Sequence, residues 1–351
     1  MSDSISDITG RSLTALLRLL PAETAHHLAL SAMERGVMNL LPAPKAAPPM
    51  VPMQVNLPGI GALRHPIGLA AGFDKHAQCP GAFERLGLSF LEIGTVTPMP
   101  QPGNPKPRLF RYPETRSIIN RMGFNSVGAE KVAARVKNLR WSPARVPLGV
   151  NIGKNKLTPQ ERAIDDFVTG IHAFADLASW LTINISSPNT PGLRDLATPE
   201  FIQDLAASAG TLRGKCWIKI DPDMEKRPFQ SLIKAIRHEN FRGVILSNTH
   251  RVEWPEAGGM SGHPLLSQSN QCLEWAWEVT RGELPMIATG GVLHGTDAYQ
   301  KLIRGASAIQ IYTALVYRGP DAAHRICEEL GHELKARGFS SVEECVGSIY
   351  R

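Results

Sequence analysis

Residues Trp180–Leu193 read WLTINISSPNTPGL. The first half alternates: Leu181, Ile183 and Ile185 fall on one face of a strand, and Thr182, Asn184 and Ser186 on the other. The run stops at Ser187-Pro188-Asn189, with Pro191 and Gly192 close behind. An apolar face opposite an amide and hydroxyls is unusual in a fully buried strand, because each buried polar group needs a protein or ligand partner. Ser187, held by the stiff dipeptide after it, is placed at the strand's carboxyl end.

Seven other short apolar runs share this character: PIGLAAG (66–72), FLEIGTVT (90–97), PLGVNIG (147–153), CWIKI (216–220), GVILSNT (243–249), PMIATGG (285–291) and AIQIYTA (308–314). Helix-patterned segments separate most of them, at 165–178, 199–212, 230–237 and 271–280. Eight strand–helix alternations predict an α/β chain folded as a parallel (β/α)8 TIM barrel over residues 66–351. The longest interruption, 98–117, is rich in Pro and Arg. It follows the second strand and so belongs to the carboxyl-end face.

Ahead of the barrel, residues 11–41 read as two short helices around Pro21. Leu13, Leu16, Leu17 and Leu20 form a stripe on the first, and Ala25, Leu28, Ala29, Ala32 and Met33 on the second, which Gly36 ends. Residues 42–52, PAPKAAPPMVP, are a linker of extended character. The expected organisation is a two-helix module (1–41), a Pro-rich linker with a barrel-bottom segment (42–65) and the barrel (66–351). The helix pair either docks on the barrel and completes its surface, or lies as an apolar hairpin on a membrane with arginines toward anionic headgroups.

Composition narrows the partners. Hydrophobic content of 43% supports a large core, and a net charge of +6 with no basic tract argues against nucleic acid. Cys79, Cys216, Cys272, Cys327 and Cys345 are scattered without a CxxC pair, as in a reducing compartment, and read as core filler. No run approaches the ~20 apolar residues of a membrane span. The start, MSDSISDITGR, lacks a secretion signal's basic and apolar regions and is not acidic-poor like a transit peptide.

In this architecture the active site gathers at the strand ends. They carry Asp74 and Lys75, Thr95, Asn151, Asn184 with Ser187 and Asn189, Lys219, Ser247-Asn248-Thr249, Gly290-Gly291, and Tyr312-Thr313. No carboxylate pair or metal-ligand spacing is among them, so no metal is expected. Glycines after the seventh strand and a hydroxyl after the eighth predict a phosphate pocket. The amides and hydroxyls suit a flat heterocycle with alternating donors and acceptors. Lys219 points into the barrel with no acid on its own strand. A cation there would stabilise an anionic reduced flavin.

Together these runs resemble the class 2, quinone-dependent dihydroorotate dehydrogenases. The resemblance rests on AAGFDK (70–75), EIGTVTPMPQPGNPKPRLFR (92–111), NRMGFN (120–125), NIGKN (151–155), INISSPNTPGLR (183–194), SNT (247–249), GGMSGHPL (258–265), TGG (289–291) and IQIYTAL (309–315), in order. It implies FMN held by Ala71, Gly72, Phe73, Asp74, Lys75, Thr95, Asn151, Asn184, Lys219, Ser247, Gly262, Gly291, Tyr312 and Thr313. It implies dihydroorotate against Lys75, Asn120, Arg121, Met122, Gly123, Phe124, Asn184, Asn189, Asn248 and Thr249. Ser187 would be the base that takes the C5 proton while hydride leaves C6 for the flavin. AETAH (22–26) matches the family's helix pair and implies an apolar tunnel, with His26, Arg111 and Tyr312 near ubiquinone; His27 carries no such match and reads as a surface residue. A monomeric, peripheral protein on the cytoplasmic face of a bacterial inner membrane, producing orotate for pyrimidine synthesis, is the expectation.

The chain departs from the family pattern at Phe73, Asp221, His250 and the short 250–258 segment, which leaves the cover over the substrate open. A soluble class 1-like enzyme using fumarate or NAD is the nearest rival. It would carry cysteine at position 187 and lack the helices. A barrel binding phosphate ligands without turnover would purify colourless.

Overall fold

The computed structural model describes residues 12–37, 49–139 and 146–351. The expectations for residues 1–11 and for most of the proline-rich stretch lie outside them. In chain order the strands are β1 (Val55–Leu57), β2 (Gly61–Leu63), β3 (Ile67–Leu69), β4 (Leu91–Val96), β5 (Leu109–Tyr112), β6 (Ser117–Asn120) and β7 (Leu148–Ile152). They continue as β8 (Trp180–Asn184), β9 (Cys216–Ile220), β10 (Gly243–Leu246), β11 (His250–Val252), β12 (Gly258–Gly262), β13 (Met286–Thr289) and β14 (Ala308–Ile311).

Eight of these, β3, β4, β7, β8, β9, β10, β13 and β14, close a parallel barrel in sequence order. They are the eight runs read from the sequence. β14 returns to β3 with Ile309 opposite Ile67. The helices Ala163–Phe174, Pro199–Ala209, Lys226–His238 and Leu266–Thr280 coincide with the four patterned segments within a few residues at each end. β1 and β2 form an antiparallel hairpin in the segment expected at the barrel bottom.

The period of two sorts each barrel strand into inward and outward residues. Asn184 and Lys219 are opposite one another in the β8–β9 ladder. Trp180 and Thr182 share the face of Asn184, and Trp217 that of Lys219. The lower barrel is therefore filled by two tryptophans, each 1% exposed or less. Glycines make the room. A Cβ on Gly149 would lie 2.0 Å from the Trp180 ring, and one on Gly243 2.4 Å from Trp217. Gly149→Ala forces a large ring to move in a close-packed layer, at an expected cost of about 1–3 kcal/mol. Thermal melting of the variant against wild type reads this directly; an unchanged midpoint would contradict the packing.

Two strand pairs were not legible beforehand. β5 and β6 lie in the excursion after β4, and β11 and β12 in the one after β10. They join as one antiparallel sheet, ordered β11-β12-β6-β5. The long Pro- and Arg-rich interruption is thus partly strand. The sheet spans the carboxyl-end mouth, with β12 paired to β6 from Gly259↔Asn120 to Gly262↔Ser117.

The amino-terminal module has helical residues 12–17 and the helix Ala22–Glu34, with Gly36 in the left-handed region just past its end (φ 73°). The helix docks by named contacts. Glu23 pairs with the buried Arg108 at 2.9 Å, and Ala25 and Leu30 are buried. Arg111 donates to the carbonyls of Leu17 and Leu20. The two predicted stripes divide. Leu13, Leu17, Ala25, Leu28, Ala29, Ala32 and Met33 face a cavity, whereas Leu16 and Leu20 turn to solvent. Among the described residues no helix is long and apolar enough to cross a membrane.

Candidate active site

A polar cavity opens at the carboxyl ends of the barrel strands, beneath the four-stranded sheet. It is lined by Ala71, Gly72, Lys75, Thr95, Asn184, Ser187, Asn189, Lys219, Ser247, Asn248, Thr249, Gly262, Gly291, Tyr312 and Thr313, and on the sheet side by Asn120, Met122, Gly123 and Phe124. Most residues singled out in the sequence therefore meet in one place. Four of those assigned to cofactor or substrate do not line it. Phe73 packs against His26 and Tyr312, at ring distances of 5.1 and 5.0 Å. Asp74 is buried and turns its carboxylate onto the backbone N–H groups of Gln78 and Cys79, 2.9 Å each, fixing its own loop. Arg121 pairs with Glu256 at 2.8 Å. Asn151 lies one layer down.

That lower layer holds a residue the sequence reading missed. Glu92, on β4, is fully buried and accepts from Asn151 Nδ2 at 2.7 Å and from Gln310 Nε2 at 2.6 Å. Asn151 Oδ1 accepts from Thr95 Oγ1 (2.6 Å) and Asn184 Nδ2 (3.0 Å). Glu92 is also the carboxylate that acts on Lys219, supplied by a different strand. Its apolar setting in FLEIGTVT hid it; only its inward parity, shared with Gly94, could have found it.

On the polar face of the β8 run, Asn184 and Ser186 have their partners. Asn184 donates to Thr95 and Asn151 and accepts from the N–H and the hydroxyl of Ser186, so its amide valences are used. Ser186 Oγ in turn accepts from Asn248 at 3.0 Å. Thr182 Oγ1 and Gln310 Oε1 are buried with no hydrogen-bond partner among the described residues. Lys219 is 6% exposed and makes no hydrogen bond among the described residues, and burial lowers its pKa against the pull of Glu92. A buried amine lining this cavity suits an electron-rich ligand edge.

Ser187 is 5% exposed and accepts the Asn189 N–H at 3.2 Å. Its own proton is not committed to any described residue. Asn189 donates to the backbone carbonyl and side chain of Asn120 on β6, at 3.1 and 3.2 Å, tying the serine's turn to the cover. Lys75 donates to Asn125 Oδ1 at 2.5 Å. Burial holds its amine down at about 7, with Arg108 acting in the same direction and Glu23 against it.

The glycine end has the shape of an anion cradle. Gly262, Gly290 and Gly291 all have φ between 80° and 110°. A Cβ on Gly291 would lie 2.4 Å from Leu266 Cα, so only glycine lets this loop pack against the start of the following helix. Leu266 opens a 15-residue helix whose amino end adds a favourable dipole.

The family departures at the cover compensate one another. Arg194 reaches Ser186 O (3.1 Å), Thr249 O (2.9 Å) and Asp223 (2.7 Å), and also pairs with Asp221. Asp223 then takes His250 Nδ1 at 2.5 Å and the Arg251 N–H at 2.8 Å. The short 250–258 segment is closed as the β11–β12 hairpin on this cluster.

A second cavity, apolar and of about 380 Å³, lies between the amino-terminal helices and the barrel. Leu13, Leu17, Ala29, Ala32 and Met33 face Phe83, Leu86, Leu315 and Val316 across it. His26, Arg111 and Tyr312 all line it, and His26 and Tyr312 line the polar cavity too. Burial, followed by the charges of Lys75 and His27, holds His26 down at about 3, so it is neutral at pH 7. Burial pushes the Tyr312 phenol up to about 12. His27 lies outside, with 58% of its side chain exposed.

A parallel barrel with a glycine-rich polar cavity, an inward lysine and an uncommitted serine under a cover fits a barrel oxidoreductase. The comparisons agree on which. The family model described as dihydroorotate dehydrogenase matches residues 53–334. A Myxococcus xanthus protein named dihydroorotate dehydrogenase (quinone) is 41% identical over 358 residues, covering 96% of this chain and 97% of its own. The Methylococcus capsulatus protein of that name is 42% identical, covering 88% of this chain and 94% of its own. A crystal structure of DHODH from Eimeria tenella in complex with ferulenol superposes with a TM-score of 0.86 at 34% identity, over 94% of this chain and 96% of that one. The chain belongs to the dihydroorotate dehydrogenase family, in its class 2 branch.

Proposed function

We propose that this chain oxidises dihydroorotate to orotate in pyrimidine synthesis and delivers the electrons to a quinone. The observation that carries this reading is the pair of cavities, one polar and one apolar, sharing His26 and Tyr312 as a wall. FMN is the cofactor we assign to the polar cavity; bound there, it would supply a hydride acceptor for C6 of the substrate and a store for the two electrons. The glycine cradle and Thr313 suit its phosphate, and Lys219, which makes no hydrogen bond among the described residues, and Gln310 Oε1 suit its ring edge. Thr95, Asn151, Asn184 and Ser247 complete the polar wall against it, with Ala71 and Gly72 on the first loop.

The chain's own residues would do the rest. Asn120, Asn189, Asn248 and Thr249 present amides and a hydroxyl to the substrate's ring, and Lys75 presents a cation to its carboxylate. Ser187 Oγ removes the C5 proton, losing its own in concert, with Lys75 and the asparagines stabilising the developing charge. The cover excludes water from that step. Across the wall, the apolar cavity is within the size of small-molecule sites and suits ubiquinone. Exposed Leu16 and Leu19 beside Arg18 suit a peripheral position on a membrane, which we place at the cytoplasmic face of a bacterial inner membrane. A monomer suffices, since both cavities are built from one chain.

Anaerobic addition of dihydroorotate should bleach the yellow protein, and a quinone should restore the colour. A protein that stays oxidised with dihydroorotate contradicts the reading. Orotate binding carries a pH signature. In the ligand-free protein Lys75 loses its proton near pH 7. The anion pairs only with the protonated amine, so affinity should fall as pH rises from 7 to 9, by up to about tenfold per unit. Titration of the flavin absorbance with orotate measures it, and a flat profile in that range removes Lys75 from the anion site.

A further inference from the structure

Lys301 is a buried cation that the proposed chemistry does not use. It lies on the helix Gly295–Ile303, behind β13 and the glycine cradle, and is 0% exposed. Its one hydrogen bond among the described residues goes to Ser269 Oγ, itself 0% exposed in the first turn of the helix Leu266–Thr280. Since the ammonium only donates, the serine accepts from it and has one proton to give. The carbonyls within reach are Leu265 O at 2.8 Å, Gly290 O at 3.0 Å and Leu266 O at 3.1 Å. Leu265, Gly290 and Gly291 line the polar cavity. The cation is therefore one hydroxyl behind the cradle.

Among the described residues no carboxylate forms a salt bridge with it, although Asp297 attracts it. Asp297 spends its carboxylate on the Leu293 and His294 N–H groups, 2.9 Å each, at the head of the lysine's own helix. The Cys272 thiol on the facing helix is neutral, because burial pushes it up to about 12. Arg304, one turn on, repels. An unmatched buried charge is costly unless an anion completes the site. The nearest place for one is the cavity end bounded by Gly262, Gly290, Gly291 and Thr313, where the helix dipole also favours negative charge.

We propose that Lys301 is the buried countercharge of the cofactor phosphate, acting through Ser269 and the Gly290 loop as a positioning residue. This rests on the reading that the cavity holds FMN. A low-dielectric interior lets a cation at this remove act on an anion far more strongly than water would. Burial, with Arg304 acting in the same direction and Asp297 against it, also holds the free lysine down at about 7, so arrival of a phosphate should draw a proton onto it.

The test is equilibrium exchange of FMN in the purified holoenzyme against added riboflavin, which has the same ring and no phosphate. Wild type should prefer FMN. Lys301→Met should shift the exchange constant toward riboflavin by at least tenfold, and Ser269→Ala should shift it the same way by less. If Lys301→Met does not yield folded protein, Ser269→Ala decides. The preference of wild type should also weaken from pH 7 to pH 9, where the phosphate stays doubly charged, while that of Lys301→Met stays flat. Exchange constants within twofold of wild type in the folded variants, even with lowered melting temperatures, would reduce Lys301 to a structural role. A wild-type protein that retains neither flavin would instead overturn the cofactor assignment itself.

Discussion

Ser187→Ala should purify yellow, with its full complement of flavin, and be reduced by dihydroorotate roughly 10²–10⁴ times more slowly than wild type. The serine is at the substrate end of the cavity and shares nothing with the glycine cradle, so cofactor binding has no reason to change. The substitution removes one oxygen and leaves no cavity. It takes from the Asn189 N–H its acceptor at 3.2 Å, a loss of about 1 kcal/mol to the turn. The rate loss corresponds to roughly 3–5 kcal/mol of barrier, far above that local cost. Stopped-flow flavin bleaching under anaerobic conditions separates the two, because a disturbed turn weakens substrate binding whereas a missing base slows the step at saturation. Reduction at the wild-type rate would remove Ser187 from the chemistry.

Filling the apolar cavity should produce the opposite fault. Ala29 faces it from the amino-terminal helix, across from side chains of the barrel. In Ala29→Trp an indole would occupy much of the space between the helices and Tyr312. Steady-state turnover with a long-tailed quinone should fall by at least about tenfold, or 1.4 kcal/mol, while single-turnover reduction by dihydroorotate stays as in wild type. Removing residues 1–41 should also abolish quinone turnover, but less cleanly. It takes Glu23 away from the buried Arg108, whose guanidinium also holds the carbonyls of Pro102 and Asn104. Asn104 in turn donates to Asn189 O at 3.2 Å, beside the serine. The truncated protein should therefore lose substrate affinity as well. Quinone kinetics unaltered by both changes would mean that electrons leave by another route.

The barrel was legible because its strands are apolar runs long enough to stand out and its helices keep the 3.6-residue period. The rim was legible because the strand ends hold polar residues that a buried strand would not otherwise tolerate. Other parts were hidden for physical reasons. β5, β6, β11 and β12 are short, half-polar or glycine-rich, and β6 finds β12 across more than a hundred residues of intervening chain; no local pattern marks such pairing. Glu92 passes for a strand residue, and Lys301 for the solvent-side lysine of an amphipathic helix. Both are charges whose burial is decided by neighbours from elsewhere in the chain.

The cover sheet has a consequence for how this protein can change over generations. Its ladder takes two strands from the excursion after β4 and two from the excursion after β10, locked from Gly259↔Asn120 to Gly262↔Ser117. A slip of one residue in either partner turns every side chain of that strand to the opposite face. A deletion within β6 or β12 is thus felt as a misalignment in the other, whereas the hairpin beyond β12 can shorten alone, as the 250–258 segment has. Grafting either of these two strands alone from a relative of different length should give a soluble barrel with a badly seated roof. Grafting both restores the fit, so the unit of inheritance here is the pair.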